Sequence, residues 1–481
     1  MSFDNPAVWL FAAIAAPCAF LAMRYWQRAL FSVFVLMVLE GALRKWAFPW
    51  AQAQIYLVKD VIVVAAYLGF LLDSRVKNLS PPKGVGLIKG ALVATFIFGC
   101  FEVFNPNLPS ILVGLAGLKS YFLYAPIAFI LPYAIKSQEH LFTLIRRYLI
   151  MAIPVAVLGF LQIMAGPTSS LNVYVSWTED TPAALSYFGD WELVRTSGTF
   201  SYISGYSSFL SFIGFLAIGY NLAHGWRIKN NFLPILALSL IVGAMFTTGS
   251  RAPVYILLAS GPLILWLAAS NQVLSSRTAM RLCILVPVLG IAAVSISPQA
   301  FHAFMERSNE ADSSYTALRL FSPLYQTLGV LPDGPALGLG IGTTQSAALA
   351  IMGSEVPWWI NTELITEEEM ARVTVELGLI GLMLVYFLRF VIAVFALRCS
   401  RKFRNPRYRA LGISLAVYLA LGIILTIIIN ATVGLYYWGA LGLMLTMRRL
   451  EQSARKESRR VLMRNVQPVA PVVTAASSRS S

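Results

Sequence analysis

Residues 373–397 read VTVELGLIGLMLVYFLRFVIAVFAL, and this stretch decides the fold class because it is apolar almost throughout. A run of roughly 17–25 apolar residues is long enough to cross the hydrocarbon core of a bilayer as a helix. Similar runs recur along the whole 481-residue sequence, of which 58% is hydrophobic and 12% charged. A soluble domain carries about 25% charged residues. The sequence therefore predicts a polytopic membrane protein and excludes a soluble globular enzyme.

We predict an all-α protein with about 12–13 transmembrane helices, each apolar on all sides because lipid surrounds it. The last two are the hardest to separate, since Asn430 and Gly434 indicate a tight turn or a re-entrant segment between them. The predicted spans lie near Pro6–Met23, Ala29–Trp46, Ile55–Leu72, Leu87–Phe104, Ile111–Ile135, Ile145–Met164, Tyr202–Leu222, Phe232–Thr247, Pro253–Ala269, Leu282–Ile296, Val373–Leu397, Ala410–Ile429 and Thr432–Met447.

The chain divides into four predicted regions. Residues 1–296 hold transmembrane helices and an outer loop at 165–201, and residues 297–372 form a helical cap. Residues 373–447 hold the C-terminal transmembrane helices, and residues 448–481 form a basic and then disordered tail.

The distribution of charge predicts that the amino terminus lies outside and the carboxyl terminus in the cytoplasm. With that orientation the inner loops hold most basic residues, including the dense run 398–409, whereas the outer loops hold acids such as those at 367–369. This asymmetry follows the positive-inside rule. Topology and an anionic inner leaflet then account for the net charge of +15, which requires no nucleic-acid partner.

The sequence predicts no metal or cofactor. The four cysteines lie in or beside apolar runs without metal-ligand spacing, and of the histidines only His302 is expected on the outer side. The G-x-G-x-G sequence at residues 338–342 lacks the strand–helix unit of a dinucleotide site. We interpret it as a flexible or close-approach loop of the cap.

Some cations remain near the outer surface against the charge trend, and such residues require an anionic partner. Arg251 is the clearest, because residues 247–253 (TTGSRAP) join two spans by a turn too short to leave the membrane surface. A guanidinium at headgroup depth suits a phosphate or diphosphate, and an arginine that snorkels to lipid phosphate is the alternative. The full set is Lys119, Arg195, Arg251, Arg307, Arg319 and Arg372.

Glu369, Arg372 and Glu376 are spaced so that a helix places them on one face, and this helix enters the membrane at Glu376. A carboxylate beside arginine stays ionised, whereas one buried alone exchanges protons near neutral pH. A structural ion pair that steadies the helix end is the alternative interpretation.

Further charges lie near the outer ends of the second and third spans. They are Glu40 with Arg44, and Lys59 beside Asp60. We interpret them as mutual pairs within the bundle.

In their order and placement, several of these motifs resemble the O-antigen ligase and O-antigen polymerase superfamily of bacterial envelope glycosyltransferases. They are the turn 248–251 (TGSR), residues 335–342 (PALGLGIG), and residues 375–382 (VELGLIGL), which are similar to the family's E-x-G-x-x-G-L helix start. Residues 195–200 (RTSGTF) and 40–46 (EGALRKW) resemble an exopolysaccharide-associated branch. The similarity extends over most of the chain.

The resemblance implies a GT-C-like fold in the bacterial inner membrane and chemistry on undecaprenyl-diphosphate-linked oligosaccharides at the periplasmic face, without metal or nucleotide. It implies that arginines hold the diphosphate, with Arg251 in the short turn and Arg195, Arg319 and Arg372 as further candidates. A glycan acceptor, membrane lipids and other polysaccharide-assembly proteins are the expected partners.

One departure from the family concerns the catalytic base. The ligases carry a His-Asn pair ahead of the helix-start glutamate, where this sequence has Glu367 and Glu368. Glu367 or Glu369 is therefore expected to accept the proton, with Glu376 as a third catalytic candidate, and the departure favours a polymerase over a ligase.

Two other functions fit parts of the sequence. A transporter or flippase of lipid-linked glycans would have charges along a path through the bundle, whereas here they concentrate at the outer ends of the spans. A non-catalytic envelope scaffold accounts for the outer loops but not for the cations at headgroup depth.

Overall fold

The computed structural model describes most of the membrane-embedded chain and part of the loops. The described residues are 6–78, 81–175, 185–188, 191–226, 228–280, 282, 301, 305, 313–331, 337–345, 348, 351–352 and 368–466.

Helices account for most of the described chain. They are α1 (Pro6–Arg24), α2 (Trp26–Ala42), α3 (Gln52–Leu72), α4 (Gly86–Glu102), α5 (Ile111–Phe122), α6 (Ala125–Ala134), α7 (Gln138–Ala165), α8 (Ile203–His224), α9 (Ile228–Thr247), α10 (Arg251–Ser270), α11 (Ser313–Val330), α12 (Glu369–Lys402), α13 (Pro406–Leu421) and α14 (Ala431–Val466).

Six helical stretches in the described residues are long and apolar enough to cross a membrane, and the pair α5 and α6, bent by 43°, makes a seventh if it is counted as one span. The shorter helices α1, α4, α9, α13 and the first half of α14 coincide with the remaining predicted spans, except for Leu282–Ile296, which lies outside the described residues beyond its first residue. The predicted all-α polytopic membrane fold is therefore confirmed.

The predicted span Ala410–Ile429 is wrong at its carboxyl end. Helix α13 ends at Leu421, and the chain runs without regular helix until α14 begins at Ala431. Inside a membrane, peptide groups without helical hydrogen bonds are tolerated only where other protein groups bond to them. In residues 422–430, which we name the linker segment, the N–H groups of residues 422–425 bond to carbonyls of residues 419–421. The peptide groups of the segment without such a local bond require partners from elsewhere in the bundle.

One end of the bundle, here named the basic end, gathers residues 135–138, 271, 398–409 and 448–455 through direct hydrogen bonds, and residues 73–75 follow Phe70, whose ring packs against Tyr133 beside Arg449. There the Glu451 carboxylate accepts from the backbone N–H of Arg404 at 2.6 Å, and Arg449 donates to the Ile135 carbonyl at 3.0 Å. Hydrogen bonds from Arg75 and Trp26 hold the pKa of Asp73 well below its usual range. Segments predicted on one side of the membrane thus meet at one end, while which side this end faces stays a prediction.

The loops at the opposite end include a short 3-10 helix at Ser170–Asn172, a β-hairpin and a helix of the predicted cap. Strands β1 (Leu185–Phe188) and β2 (Trp191–Val194) form an antiparallel hairpin in the loop 165–201, so that loop departs from the all-α expectation. Helix α11 of the predicted cap packs against α12.

Helix α8 is the centre of the bundle and packs against α7, α9, α10, α13 and α14. Its aromatic side chains are almost fully buried, and the Phe212 ring stacks on Tyr436 of α14 with centroids 4.5 Å apart. Each buried aromatic side chain removes about 150–250 Å² from lipid or water. This packing fixes α8, whose first two turns form one wall of the site described next.

Candidate functional site

Three separate sequence motifs meet at the end opposite the basic end. The central one is the segment 195–201, whose Gly198 N–H donates to Gln162 Oε1 at 2.8 Å and whose Gly198 carbonyl accepts from Lys45 Nζ at 2.8 Å. The second motif, residues 40–46, approaches this segment closely at Gly41. A Cβ on Gly41 would lie 2.3 Å from the backbone nitrogen of Ser201. The segment is therefore held from both α2 and α7.

The third motif is the turn between α9 and α10. The Thr196 N–H donates to the Thr247 carbonyl at 3.1 Å, and Arg195 Nε donates to the Thr248 carbonyl at 3.4 Å. Arg251, which is half-buried, begins α10 directly after this turn. The structure thus brings Arg195 to the same turn as Arg251, as a shared phosphate site requires.

Buried charges behind this segment pair with one another, but only the pair of Glu40 with Arg44 is as the sequence indicated. Glu40 binds Arg44 at 3.1 Å and Lys59 at 2.6 Å, so the partner of Lys59 is Glu40 rather than the adjacent Asp60. Asp60 instead pairs with Lys119 at 2.5 Å. The anionic partner that Lys119 was expected to require is therefore supplied from within the protein, by Asp60 of α3.

A cavity of about 750 Å³ opens beside the turn. It lies between the first turns of α8 and α10 and the linker segment, with Arg195 at its wall. Arg251 itself does not line this cavity, although the residues on both sides of it do. The lining comprises Tyr174, Arg195, Tyr202, Ile203, Ser204, Ser207, Ser208, Ser211, Ser250, Ala252, Pro253, Ile256, Tyr418, Ile424, Leu425, Thr426, Asn430 and Val433.

Two charged side chains of α12 supply the partners of the linker segment. The Glu369 carboxylate accepts the backbone N–H groups of residues 427, 428 and 429 at 3.0, 2.6 and 3.0 Å. Arg389 donates to the carbonyls of Gly422 and Leu425, both at 3.3 Å, and also binds Glu369 directly. The pair therefore supplies an acceptor for N–H groups and a donor for carbonyl groups of the linker segment. In this way it fixes one wall of the cavity.

This arrangement does not support Glu369 as the catalytic base. Its side chain is 4% exposed and both oxygens are already engaged by several donors. Arg389, which makes the arrangement possible, was not singled out from the sequence. The available signal was an arginine in the middle of the apolar stretch 373–397, which by itself marks a functional or structural partner inside the bundle.

Glu376 belongs to a second cluster, built around the glycine-rich loop 337–345. Its carboxylate accepts from Tyr121 Oη at 2.8 Å, and from Thr344 through the backbone N–H at 3.0 Å and the hydroxyl at 2.7 Å. Its carbonyl accepts from the N–H of Gly340 at 3.0 Å, because Gly378, with φ of 63°, interrupts the helix and leaves that carbonyl free. Glu376 thus anchors the loop to α12.

The loop is a close-approach loop, as its glycines indicated. Gly338, Gly340 and Gly342 all have positive φ, and a Cβ on Gly117 of α5 would lie 2.6 Å from the Gly342 nitrogen. Only glycine adopts this backbone conformation at low cost and also allows two backbone segments to come into contact.

Arg372, a further predicted site residue, does not line the cavity among the residues that the structure describes. Arg372 donates to the Thr344 carbonyl at 3.0 Å and so belongs to the cluster around the glycine-rich loop. The position of Arg319 falls on α11, but its side chain lies outside the described residues, as does the whole of Glu367. A joint clamp of Arg251 and Arg372 on one diphosphate gains no support from the cavity lining.

Among the described residues, no group of three or more His, Cys, Asp or Glu side chains is placed to hold a metal ion. No protein-family model matches this chain, and no curated protein sequence matches it.

Proposed function

We propose that this protein is a membrane glycosyltransferase that polymerises or ligates undecaprenyl-diphosphate-linked glycans at the periplasmic face, in exopolysaccharide or O-antigen assembly. The observation that carries the proposal is the cavity between α8, α10 and the linker segment, which has Arg195 in its wall and lies at the end of the bundle opposite the basic end. By the positive-inside rule this opposite end faces the periplasm of a bacterial inner membrane.

The start of α10 supports an anionic ligand in this cavity. The first N–H groups of a helix have no partner within the helix, and together with the helix dipole they favour a phosphate. Ser250 and Ala252, which flank Arg251, both line the cavity. Arg195, held by Thr248 of the same turn, adds a fixed guanidinium.

The proposed reaction needs no metal. The acceptor hydroxyl attacks the anomeric carbon of the donor sugar, the bond to the diphosphate oxygen breaks, and undecaprenyl diphosphate leaves with the electron pair. Arg195 and Arg251 stabilise the negative charge that develops on the leaving group. Because Glu369 and Glu376 are held by fixed donors, we assign the proton of the acceptor hydroxyl to Glu367.

The test uses purified protein in lipid nanodiscs with undecaprenyl-diphosphate-linked oligosaccharides, and release of undecaprenyl diphosphate is the readout. We expect Arg195→Ala and Arg251→Ala each to lower the rate of release by about 100- to 1,000-fold, the effect of removing one such stabilising group. Arg75→Ala is the matched control, since Arg75 is an exposed arginine at the basic end.

A result in which both alanine variants release undecaprenyl diphosphate at the rate of the unmodified protein would contradict the phosphate site. Movement of the intact lipid between leaflets, without any release, would instead identify a transporter of lipid-linked glycans.

A further inference from the structure

The first two turns of α8 present a row of hydroxyl groups to the cavity. Ser204, Ser207, Ser208 and Ser211 all line it, at the spacing that places residues on one helical face. From Ser204 to Ser211 the row extends about 10 Å along the helix, at 1.5 Å per residue. The row therefore follows the cavity over the first two turns of α8.

Two of these hydroxyls are satisfied inside α8. Ser208 donates to the Ser204 carbonyl at 2.6 Å and accepts from Asn430 Nδ2 at 3.3 Å, while Ser211 donates to the Ser207 carbonyl at 2.9 Å. Such bonds to the carbonyl four residues earlier are the usual way for a serine to sit in a membrane helix.

Ser207 is different. It is 9% exposed, it lines the cavity, and within the described part of the chain its hydroxyl oxygen has no hydrogen-bond partner. A buried hydroxyl without a partner costs about 1–3 kcal/mol. Because Ser207 lines the cavity, a ligand there can supply that partner.

The chemistry around Ser207 selects among ligands. Arg195 is the only charged side chain in the described lining, and the wall facing α8 carries an amide, Asn430, and the phenol Tyr418. Tyr174, which donates to the Arg195 carbonyl, and Tyr202, whose ring packs against that of Tyr174, also line the cavity. Hydroxyls, an amide and aromatic faces suit a neutral polyhydroxylated ring, because each ring hydroxyl both donates and accepts. A phosphate gains less here, since Ser207 offers it one neutral donor.

We propose that the α8 serine row, with Ser207 at its centre, binds a sugar ring of the lipid-linked glycan, next to but distinct from the phosphate site at Arg195 and the start of α10. This inference rests on the proposed function and adds a carbohydrate subsite to it. In this arrangement Ser207 sets selectivity for the sugar, whereas Arg195 and Arg251 hold any lipid diphosphate.

The test compares two probes on protein in nanodiscs: undecaprenyl diphosphate, which lacks sugar, and undecaprenyl-diphosphate-linked glucose. Ser207→Ala is expected to raise the Kd for the glucose-bearing lipid by about two- to tenfold, the worth of one hydrogen bond, and to leave the Kd for undecaprenyl diphosphate unchanged. Ser239→Ala is the matched control, because the Ser239 hydroxyl donates to a carbonyl of its own helix α9.

The two hypotheses fail in different ways. Equal affinity of the unmodified protein for both lipids, or an equal change for both in Ser207→Ala, would overturn the sugar subsite and leave the phosphate site standing. Failure of the unmodified protein to bind either lipid would overturn the proposed function, and the subsite with it.

Discussion

Loss of either member of the Glu369–Arg389 pair is expected to destabilise the whole protein. Each side chain is 4% exposed, and Glu369 also serves three backbone N–H groups. Glu369→Gln leaves the Arg389 charge buried without a carboxylate and turns an acceptor oxygen into a donor that faces those N–H groups. Removing one partner of a buried pair costs about 3–5 kcal/mol. We expect the free energy of unfolding to fall by about that amount.

The measurement is unfolding of the purified protein in mixed micelles, followed by tryptophan fluorescence. Arg455→Met is the control, because the Glu451–Arg455 pair lies at the surface with 46% of the Arg455 side chain exposed, and such pairs contribute about 0–1 kcal/mol. The double variant Glu369→Met/Arg389→Met leaves no isolated charge, so it should lose less than the sum of the single variants. A loss within about 1 kcal/mol for Glu369→Gln would refute this account of the linker segment.

Two further variants test the glycine-rich loop. Gly117→Ala places a Cβ 2.6 Å from the Ile341 carbonyl carbon and should cost about 1–3 kcal/mol in the same unfolding assay, whereas Gly90→Ala meets no atom within 4 Å and should be neutral or stabilising. Tyr121→Phe removes one donor from the buried Glu376 carboxylate, so a loss of about 1–3 kcal/mol is expected, and unchanged stability would contradict the anchoring role of Glu376.

The membrane fold was predictable because run length and hydropathy are local properties of the sequence. Most predicted spans within the described residues coincide with one helix, whereas Ile111–Ile135 is divided between α5 and α6 and Ala410–Ile429 is helical only to Leu421, and the break expected near Asn430 is present. The extent of that break was not predictable, since residues 422–429 are as apolar as the helix before them. Their conformation depends on hydrogen bonds with α12. Ile427 and its partner Glu369, for example, are 58 residues apart in the sequence.

The site was predictable in part. Helical spacing placed Glu369, Arg372 and Glu376 on one face, but spacing does not reveal which other elements approach that face. In the structure Glu369 is hydrogen-bonded to the linker segment, whereas Arg372 and Glu376 are hydrogen-bonded to the glycine-rich loop. The approach of Arg195 to the turn before Arg251 is likewise a tertiary contact, for which the sequence offered only two short motifs.

The linker segment also imposes an order on biogenesis. The ribosome delivers α12 with Glu369 and Arg389 to the insertion machinery before the peptide groups at 422–429 have been made. Those groups gain their partners only after α13 has been threaded, and α14 must follow before Val433 completes the cavity wall. A nascent chain that stalls before its last span would therefore carry both arginines of the proposed phosphate site without a finished cavity.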